Sequence, residues 1–190
     1  MIIVGVGAGP LLLTEEARRA IARARLIYGS NRAIDLAREH IAPGTSVNVI
    51  ENYRALNELP AEAVVLSTGD PMLSGLGYLD GEVIPGISSL QVACARLKIS
   101  ELLVTAITVH GRSLDAEPIA FELARDRCVF LLTDDGTDIH GLCRILEERG
   151  LHRDVAAFRD LGYPWERVVM GDTANPPEAP GLSCMMIGRL

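Results

Sequence analysis

The stretch Val83–Leu97, VIPGISSLQVACARL, decides how this chain folds. Val83–Ile84 reads as the end of a buried strand. Pro85 lacks an N–H and Gly86 tolerates a positive φ, so the chain can turn sharply there. Ser88 or Ser89 can then cap a helix with a small-residue face by accepting a bond from its free N–H groups. The remaining N–H groups form a weakly positive pocket suited to a carboxylate or phosphate. Upstream, the apolar run Ala63–Leu66 ends in a second turn, Ser67–Pro71, STGDP. In an open α/β sheet, ligands bind beyond the carboxyl ends of strands. Both turns are therefore expected at one ligand site. Asp70 is the one acid in that neighbourhood, and it has two readings: a ligand contact, or a turn carboxylate satisfied by its own backbone.

Outward from these turns, strands alternate with helices. Met1–Val6 reads as a strand followed by the Gly-rich loop Gly5–Pro10. Thr14 caps a helix to about Arg25, with Glu15 and Glu16 in the first turn as the helix dipole favours. Leu26–Tyr28, Ser46–Ile50, Ala63–Leu66 and Val83–Ile84 read as strands, and Asn31–His40 and Ser88–Leu97 as helices. This alternation predicts a largely parallel sheet. The second half has another rhythm. Strands are expected at Val104–Val109, Cys128–Leu132, Val155–Arg159, Arg167–Gly171 and Ser183–Ile187. Helices are expected at about Pro118–Asp126 and at Ile139–Arg149, and the sheet is mixed. The fold class is thus α/β, with two small α/β domains, residues 1–102 and 103–190.

Composition narrows the function. The 190 residues are 48% hydrophobic but only 4% aromatic, so the core is mainly Leu, Val, Ile and Ala. Mean hydropathy is +0.23. No apolar run approaches the ~20 residues of a membrane span. MIIVGVGAGP opens on a strand without a basic n-region, so no signal peptide and a cytoplasmic location are expected. The apolar excess fits buried parallel strands and a dimer interface. A net charge of −7 argues against nonspecific nucleic-acid binding. The basic residues are arginines apart from Lys98. Cys94, Cys128, Cys143 and Cys184 are dispersed among apolar residues and read as core residues in a reducing compartment. His40, His110, His140 and His152 lack metal-ligand spacing, so no protein-bound metal is expected.

Gly5-x-Gly7-x-Gly9-Pro10 invites a dinucleotide reading that fits poorly. Pro10 stands where the third glycine of the fingerprint belongs, and LIYGS (Leu26–Ser30) lacks the acidic ribose ligand. No Gly-Lys-Ser/Thr follows for a phosphate-binding loop. The remaining reading is a tight loop that closes a pocket floor.

GVGAGP, STGDPMLSGLG, VIPGISSLQVACARL, TVHGR, LLTDDGTDIHGLCRILEERG and DLGYPWERVVMGD occur in the order seen in tetrapyrrole (corrin/porphyrin) methylases. The resemblance covers nearly the whole chain. VIPGISSLQ, TVHGR and LGYPWER most resemble the branch that methylates C5 of cobalt-precorrin-7 in cobalamin synthesis. It implies an S-adenosylmethionine-dependent C-methyltransferase with the donor in a ligand cleft between the two domains, and a homodimer. C15 methylation and decarboxylation can be fused or separate in this family, and with 190 residues here a separate partner is expected for them. Alternatives are a methylase of another target in the same fold, diphthine synthase-like or RNA-directed, and a non-catalytic nucleotide-binding module. Cobalt-containing and metal-free rings both stay open as substrate. The chain departs from the family in its first loop, GAGPLLLT, which lacks an Asp-Pro. It departs also at GYLDGE, where a full helix and strand usually stand.

By this resemblance, Asp70, Leu73, Ser88 and Ser89 contact the donor, as do Leu132, Thr133, Leu161 and Gly162. Gly5, Gly7 and Gly9 face the tetrapyrrole. Arg32, Arg112 and Arg159 are candidates for its carboxylates, with His110 nearby in TVHGR. His110 and Tyr163 are the candidate bases, should the methylated carbon need one. Methyl transfer from a sulfonium is an in-line displacement, so positioning and exclusion of water matter more than acid–base help.

Overall fold

The computed structural model describes residues 1–109, 114–134, 136–178 and 184–190. The chain divides into two compact units, Met1–Ser89 and Leu90–Leu190. This division and the sequence border at 102/103 differ by one helix.

The first unit runs β1 (Ile2–Gly5), α1 (Glu15–Arg23), β2 (Leu26–Gly29), α2 (Asn31–Ala37), β3 (Ser46–Val49), β4 (Val64–Ser67), α3 (Pro71–Ser74) and β5 (Glu82–Ile84). Its five strands form one sheet in the order β3-β2-β4-β1-β5, and every pair is parallel. The central strands are buried on both faces, as parallel strands require. Val4, Ile27, Val64, Leu66 and Ile84 pack with Ala17 and Ile21 of α1 and Ala33 and Ile34 of α2. Ile3 and Val65 point the other way, into a cluster with Leu56, Leu76 and Leu79.

Local chemistry sets the helix ends. The Thr14 hydroxyl accepts from the Ala17 N–H, and the Ser30 hydroxyl accepts from the Ala33 N–H. The helix expected to reach His40 tightens into a 3-10 turn at Arg38–His40. A 3-10 segment at Tyr53–Glu58, silent in the sequence pattern, supplies Leu56 to the second face. Ahead of the short GYLDGE segment α3 is a single turn, and Leu76 and Leu79 after it are buried in the cluster with Ile3, Leu56 and Val65.

The second unit contains most of α4 (Ser89–Leu97), then β6 (Val104–Thr108), α5 (Ala116–Ala124), β7 (Cys128–Leu132), α6 (Ile139–Glu148), β8 (Asp154–Arg159), β9 (Arg167–Asp172) and β10 (Cys184–Gly188). Strand order is β6-β7-β10-β8-β9. β6 runs parallel to β7, while β10 is antiparallel to both β7 and β8. β8 is therefore parallel to β6 and β7, and all three carboxyl ends share one edge. Val129, Leu131, Val155, Ala157, Met185 and Ile187 pack under α5 and α6. Phe130, Phe158 and Met186 alternate to the opposite face and are also buried.

The four cysteines are free and buried. Burial pushes the Cys94 and Cys143 thiols up to about 11, so both stay protonated at neutral pH. Among the described residues no helix is long and apolar enough to cross a membrane.

Gly86 and Gly44 make a test of the packing. A Cβ on Gly86 would sit 2.2 Å from the Gly69 carbonyl oxygen and 2.9 Å from the Gly5 Cα, both backbone atoms. A Cβ on Gly44 would meet nothing within 4 Å, and only its positive φ of 85° opposes substitution. Gly86→Ala is expected to cost about 3 kcal/mol or more by overpacking. Gly44→Ala is expected to cost about 1 kcal/mol through left-handed strain. Urea unfolding midpoints measure both, and equal shifts would show that the Gly86 contact is not tight.

Candidate functional site

In the first unit the loops after β1, β4 and β5 meet at the carboxyl edge of the sheet. The Val6 N–H donates to the Ser67 carbonyl (2.9 Å), and Gly7 and Gly69 exchange backbone bonds at 3.2 and 2.9 Å. The Ala8 N–H donates to the Ile87 carbonyl at 2.9 Å, which brings in the loop after β5. Glycine is required because backbone meets backbone. A Cβ on Gly5 would lie 2.5 Å from the Gly86 nitrogen.

The Asp70 carboxylate ties two of these loops. Oδ1 accepts from the Met72 N–H at 2.7 Å, which caps α3. Oδ2 accepts from the Gly86 N–H at 2.9 Å. Both oxygens thus serve backbone donors, though a carboxylate has about four lone-pair sites and can accept further bonds. Gly69 has φ +71°, and nothing lies within 4 Å of where its Cβ would be. The cradle is open on that side.

Gly5, Gly7, Gly9, Asp70, Leu73, Ser88 and Ser89 all lie at or next to this edge. Ser88 is buried and directly precedes α4. Arg32, in the first turn of α2, donates to the Ala8 carbonyl at 2.9 Å and so braces the Gly-rich loop. A separate surface groove beside α1 is lined by Ile2, Leu26 and Val64 at the amino ends of their strands. Its rim includes the exposed Arg19–Glu15 pair at 3.0 Å, and it holds none of the candidate residues.

The second unit collects its own candidates on one edge. Cys184 of β10 is in register with Leu132 of β7 and Phe158 of β8. Leu132, buried Thr133, Arg159, buried Leu161, Gly162 and Tyr163 therefore lie at or just past the same sheet edge. His110 and Arg112 lie outside the described residues.

Two carboxylates organise these loops. Asp134 Oδ1 accepts from the Gly136 N–H (3.1 Å) and the Thr137 hydroxyl (2.9 Å). Glu166 accepts from the Gly162 N–H at 2.9 Å, and it pairs with Arg96 of α4 through Nε and through Nη2 at 3.1 Å. The Arg96 hydrogen bond, aided by the Gly162 N–H, holds the Glu166 carboxyl below its ordinary 4.5. Between these anchors, the Tyr163 and Trp165 rings stack at 5.2 Å with a 39° tilt. Sequence reasoning missed Trp165, Glu166 and Arg96. Nothing in the local pattern pairs residues 96 and 166, although the lone tryptophan beside Pro164 was visible.

Known proteins place these observations. Residues 1–176 match the family model of tetrapyrrole (corrin/porphyrin) methylases. The chain belongs to this family. It is 32% identical over 184 residues to a precorrin-6Y C(5,15)-methyltransferase [decarboxylating] of a Sinorhizobium species, covering 88% of this chain and 44% of that protein. It is 29% identical over 182 residues to the cobalt-precorrin-7 C(5)-methyltransferase of Salmonella typhimurium, covering 88% of each. The chain thus spans under half of the first relative and most of the second. Among solved structures, the cobalamin biosynthesis precorrin-6Y methylase of Archaeoglobus fulgidus aligns with TM-score 0.77 at 27% identity, over 100% of this chain and 97% of that one. The uroporphyrin-III C-methyltransferase of Thermus thermophilus, crystallised with S-adenosyl homocysteine, shares the fold with TM-score 0.77 at 23% identity, over 98% and 96%.

Two outcomes follow for this tetrapyrrole methylase. Asp70→Ala removes a helix cap and leaves the buried Gly86 N–H without its acceptor. It is expected to destabilise the protein by about 2–3 kcal/mol. An unchanged thermal melt would mean that the two bonds are dispensable. The second outcome concerns pH. A carboxyl depressed in the folded state contributes stability above its unfolded pKa and loses it as pH falls through the folded one. Trp165, the sole tryptophan, reports on this loop. Its fluorescence should hold steady above the ordinary glutamate value and change as pH falls through the lowered Glu166 pKa. Glu166→Gln should show the altered signal already at neutral pH.

Proposed function

We propose that this methylase transfers a methyl group from S-adenosylmethionine to C5 of a precorrin-7 ring, with or without cobalt. The supporting observation is the correspondence with a single-activity C5 relative over most of both chains. The C15 methylation and decarboxylation named for the longer relative is assigned to a partner outside these residues, and the working unit to a homodimer.

The residues present fit the donor. The first-unit edge offers a glycine cradle open above Gly69, a polar strand end at Ser67, and the Ser88 hydroxyl at the start of α4. The second-unit edge offers the buried Thr133 hydroxyl beside apolar Leu132 and Leu161. To the donor we assign Asp70, Leu73, Ser88 and Ser89, and from the second unit Leu132, Thr133, Leu161 and Gly162. When bound, the donor supplies an electrophilic methyl carbon on its sulfonium. Asp70 keeps the loops after β4 and β5 at a fixed spacing, so the cradle needs little rearrangement when it fills. The apolar side chains exclude water, which leaves the ring carbon as the available nucleophile. Gly5, Gly7, Gly9, Arg32, Arg112 and Arg159 are assigned to the ring, with His110 or Tyr163 as the acceptor for any proton released.

Incubation with S-adenosylmethionine and cobalt-precorrin-7, or its metal-free counterpart, tests the reading by mass spectrometry. A carbon-13 methyl label locates the new group by NMR. One added methyl at C5 is expected. A methyl at another carbon, or no transfer to either ring, would refute the assignment.

A further inference from the structure

Hairpin β8–β9 carries a feature that its own strands disfavour. Arg159, the last residue of β8, and Arg167, the first of β9, are direct register partners. Directly opposed residues of an antiparallel pair share one face, and like charges there destabilise the pair. Both arginines are exposed, and intramolecular compensation is slight. The Arg159 Nε lies 3.6 Å from Asp160 Oδ2, beyond a good hydrogen bond. Among the described residues Arg167 makes no ion pair or side-chain hydrogen bond. Its neighbour Glu166 is already taken by Arg96 and the Gly162 N–H.

The loop that joins the two arginines is held in a defined shape. Asp160 and Gly162 adopt positive φ of 52° and 81°. The Tyr163 N–H donates to the Asp160 carbonyl, and the Glu166 N–H to the Tyr163 carbonyl, each at 3.0 Å. On this frame Trp165 stacks with Tyr163 yet remains 63% exposed. A tilted aromatic pair and two guanidiniums, Arg159 with only a long contact to Asp160 and Arg167 without an ion pair among the described residues, thus share one hairpin, in a chain of net charge −7. An aromatic face suits an apolar ring, and the guanidinium fork suits carboxylates.

We propose that hairpin β8–β9 docks the ring substrate. Trp165, supported by Tyr163, takes the macrocycle face, and Arg159 and Arg167 take its carboxylate arms. This rests on the function proposed above and adds Trp165 and Arg167 as specificity-determining residues. Relief of the Arg159–Arg167 repulsion by bound carboxylates makes the hairpin selective for a polyanionic ring over a neutral one.

The test uses the full chain and three probes in calorimetry. These are cobyrinic acid (a corrin ring with free carboxylate arms), its methyl ester, and S-adenosyl homocysteine. Trp165→Ala is expected to weaken both ring probes about tenfold, and Trp165→Phe to recover to within about threefold of the parent chain. Arg167→Gln is expected to weaken the acid about tenfold and leave the ester unchanged. None of the three should change the affinity for S-adenosyl homocysteine. With cobalt-precorrin-7, the same variants should raise KM and leave kcat nearly intact. A parent chain that methylates the ring while all variants bind it equally overturns the hairpin alone. A parent chain that transfers no methyl overturns the underlying function. Light scattering supplies a further check, since a Trp165→Ala chain that changes oligomeric state would make the hairpin a subunit contact and overturn the proposal.

Discussion

Three backbone segments come into contact at Gly5, Gly69 and Gly86, and the first unit depends on that approach. The loops after β1, β4 and β5 can meet because Gly5 and Gly86 carry no Cβ, which would otherwise strike backbone at 2.5 and 2.2 Å. Once they meet, their buried N–H and C=O groups must find partners, because an unpaired buried peptide group costs about as much as a lost hydrogen bond. They find them in each other: Val6 with Ser67, Gly7 with Gly69, Ala8 with Ile87. Asp70 completes the set by accepting from the Gly86 N–H across the gap. The floor of this edge is therefore backbone, and its shape is fixed by strand spacing rather than by rotamers.

The second unit solves the same problem with side chains. Inserting β10 antiparallel between β7 and β8 puts the carboxyl ends of both beside Cys184. The strand β10 stands between them, where β1 and β4 are direct neighbours. Asp134 and Glu166 instead organise each loop from within, and Arg96 anchors the second to α4. Among the described residues, Asp70, Asp134 and Glu166 at these edges are occupied by backbone N–H groups, a hydroxyl or an arginine.

The sequence made most of this legible because the signals were local. Apolar runs located the ten strands of the described residues, and Cys128–Leu132 matched to the residue. Thr14 marked a helix start through hydroxyl capping, which needs only three residues of chain; the matching cap at Ser30 emerged from the structure. Segments without apolar periodicity were not legible. The 3-10 stretch Tyr53–Glu58 buries one residue, Leu56, and a single buried position has no period. At the site, turn chemistry pointed to STGDP and PGISS, but the second bond of Asp70 spans 16 residues and could not be read locally. The opposition of Arg159 and Arg167 likewise depends on the register of β8 and β9, which loop length alone does not fix.

These two constructions differ in how freely they can vary. Substitution at the glycine contact moves backbone, and backbone movement there displaces three strands together. A floor of that kind suits the part of a reaction that stays constant among related enzymes. The β8–β9 hairpin is at the sheet margin, with β9 exposed along most of its length. Exchanging Trp165 or Arg167 would alter an exposed surface without touching a packed core. On the function proposed above, the constrained edge takes part in donor binding, and Trp165 and Arg167 of the hairpin take part in substrate choice. Folds host many activities because their sites are grafted onto loops that the core tolerates. In the seven residues between β8 and β9, Glu166 holds the loop through the Gly162 N–H and Arg96, while the side chain of Trp165 stays exposed.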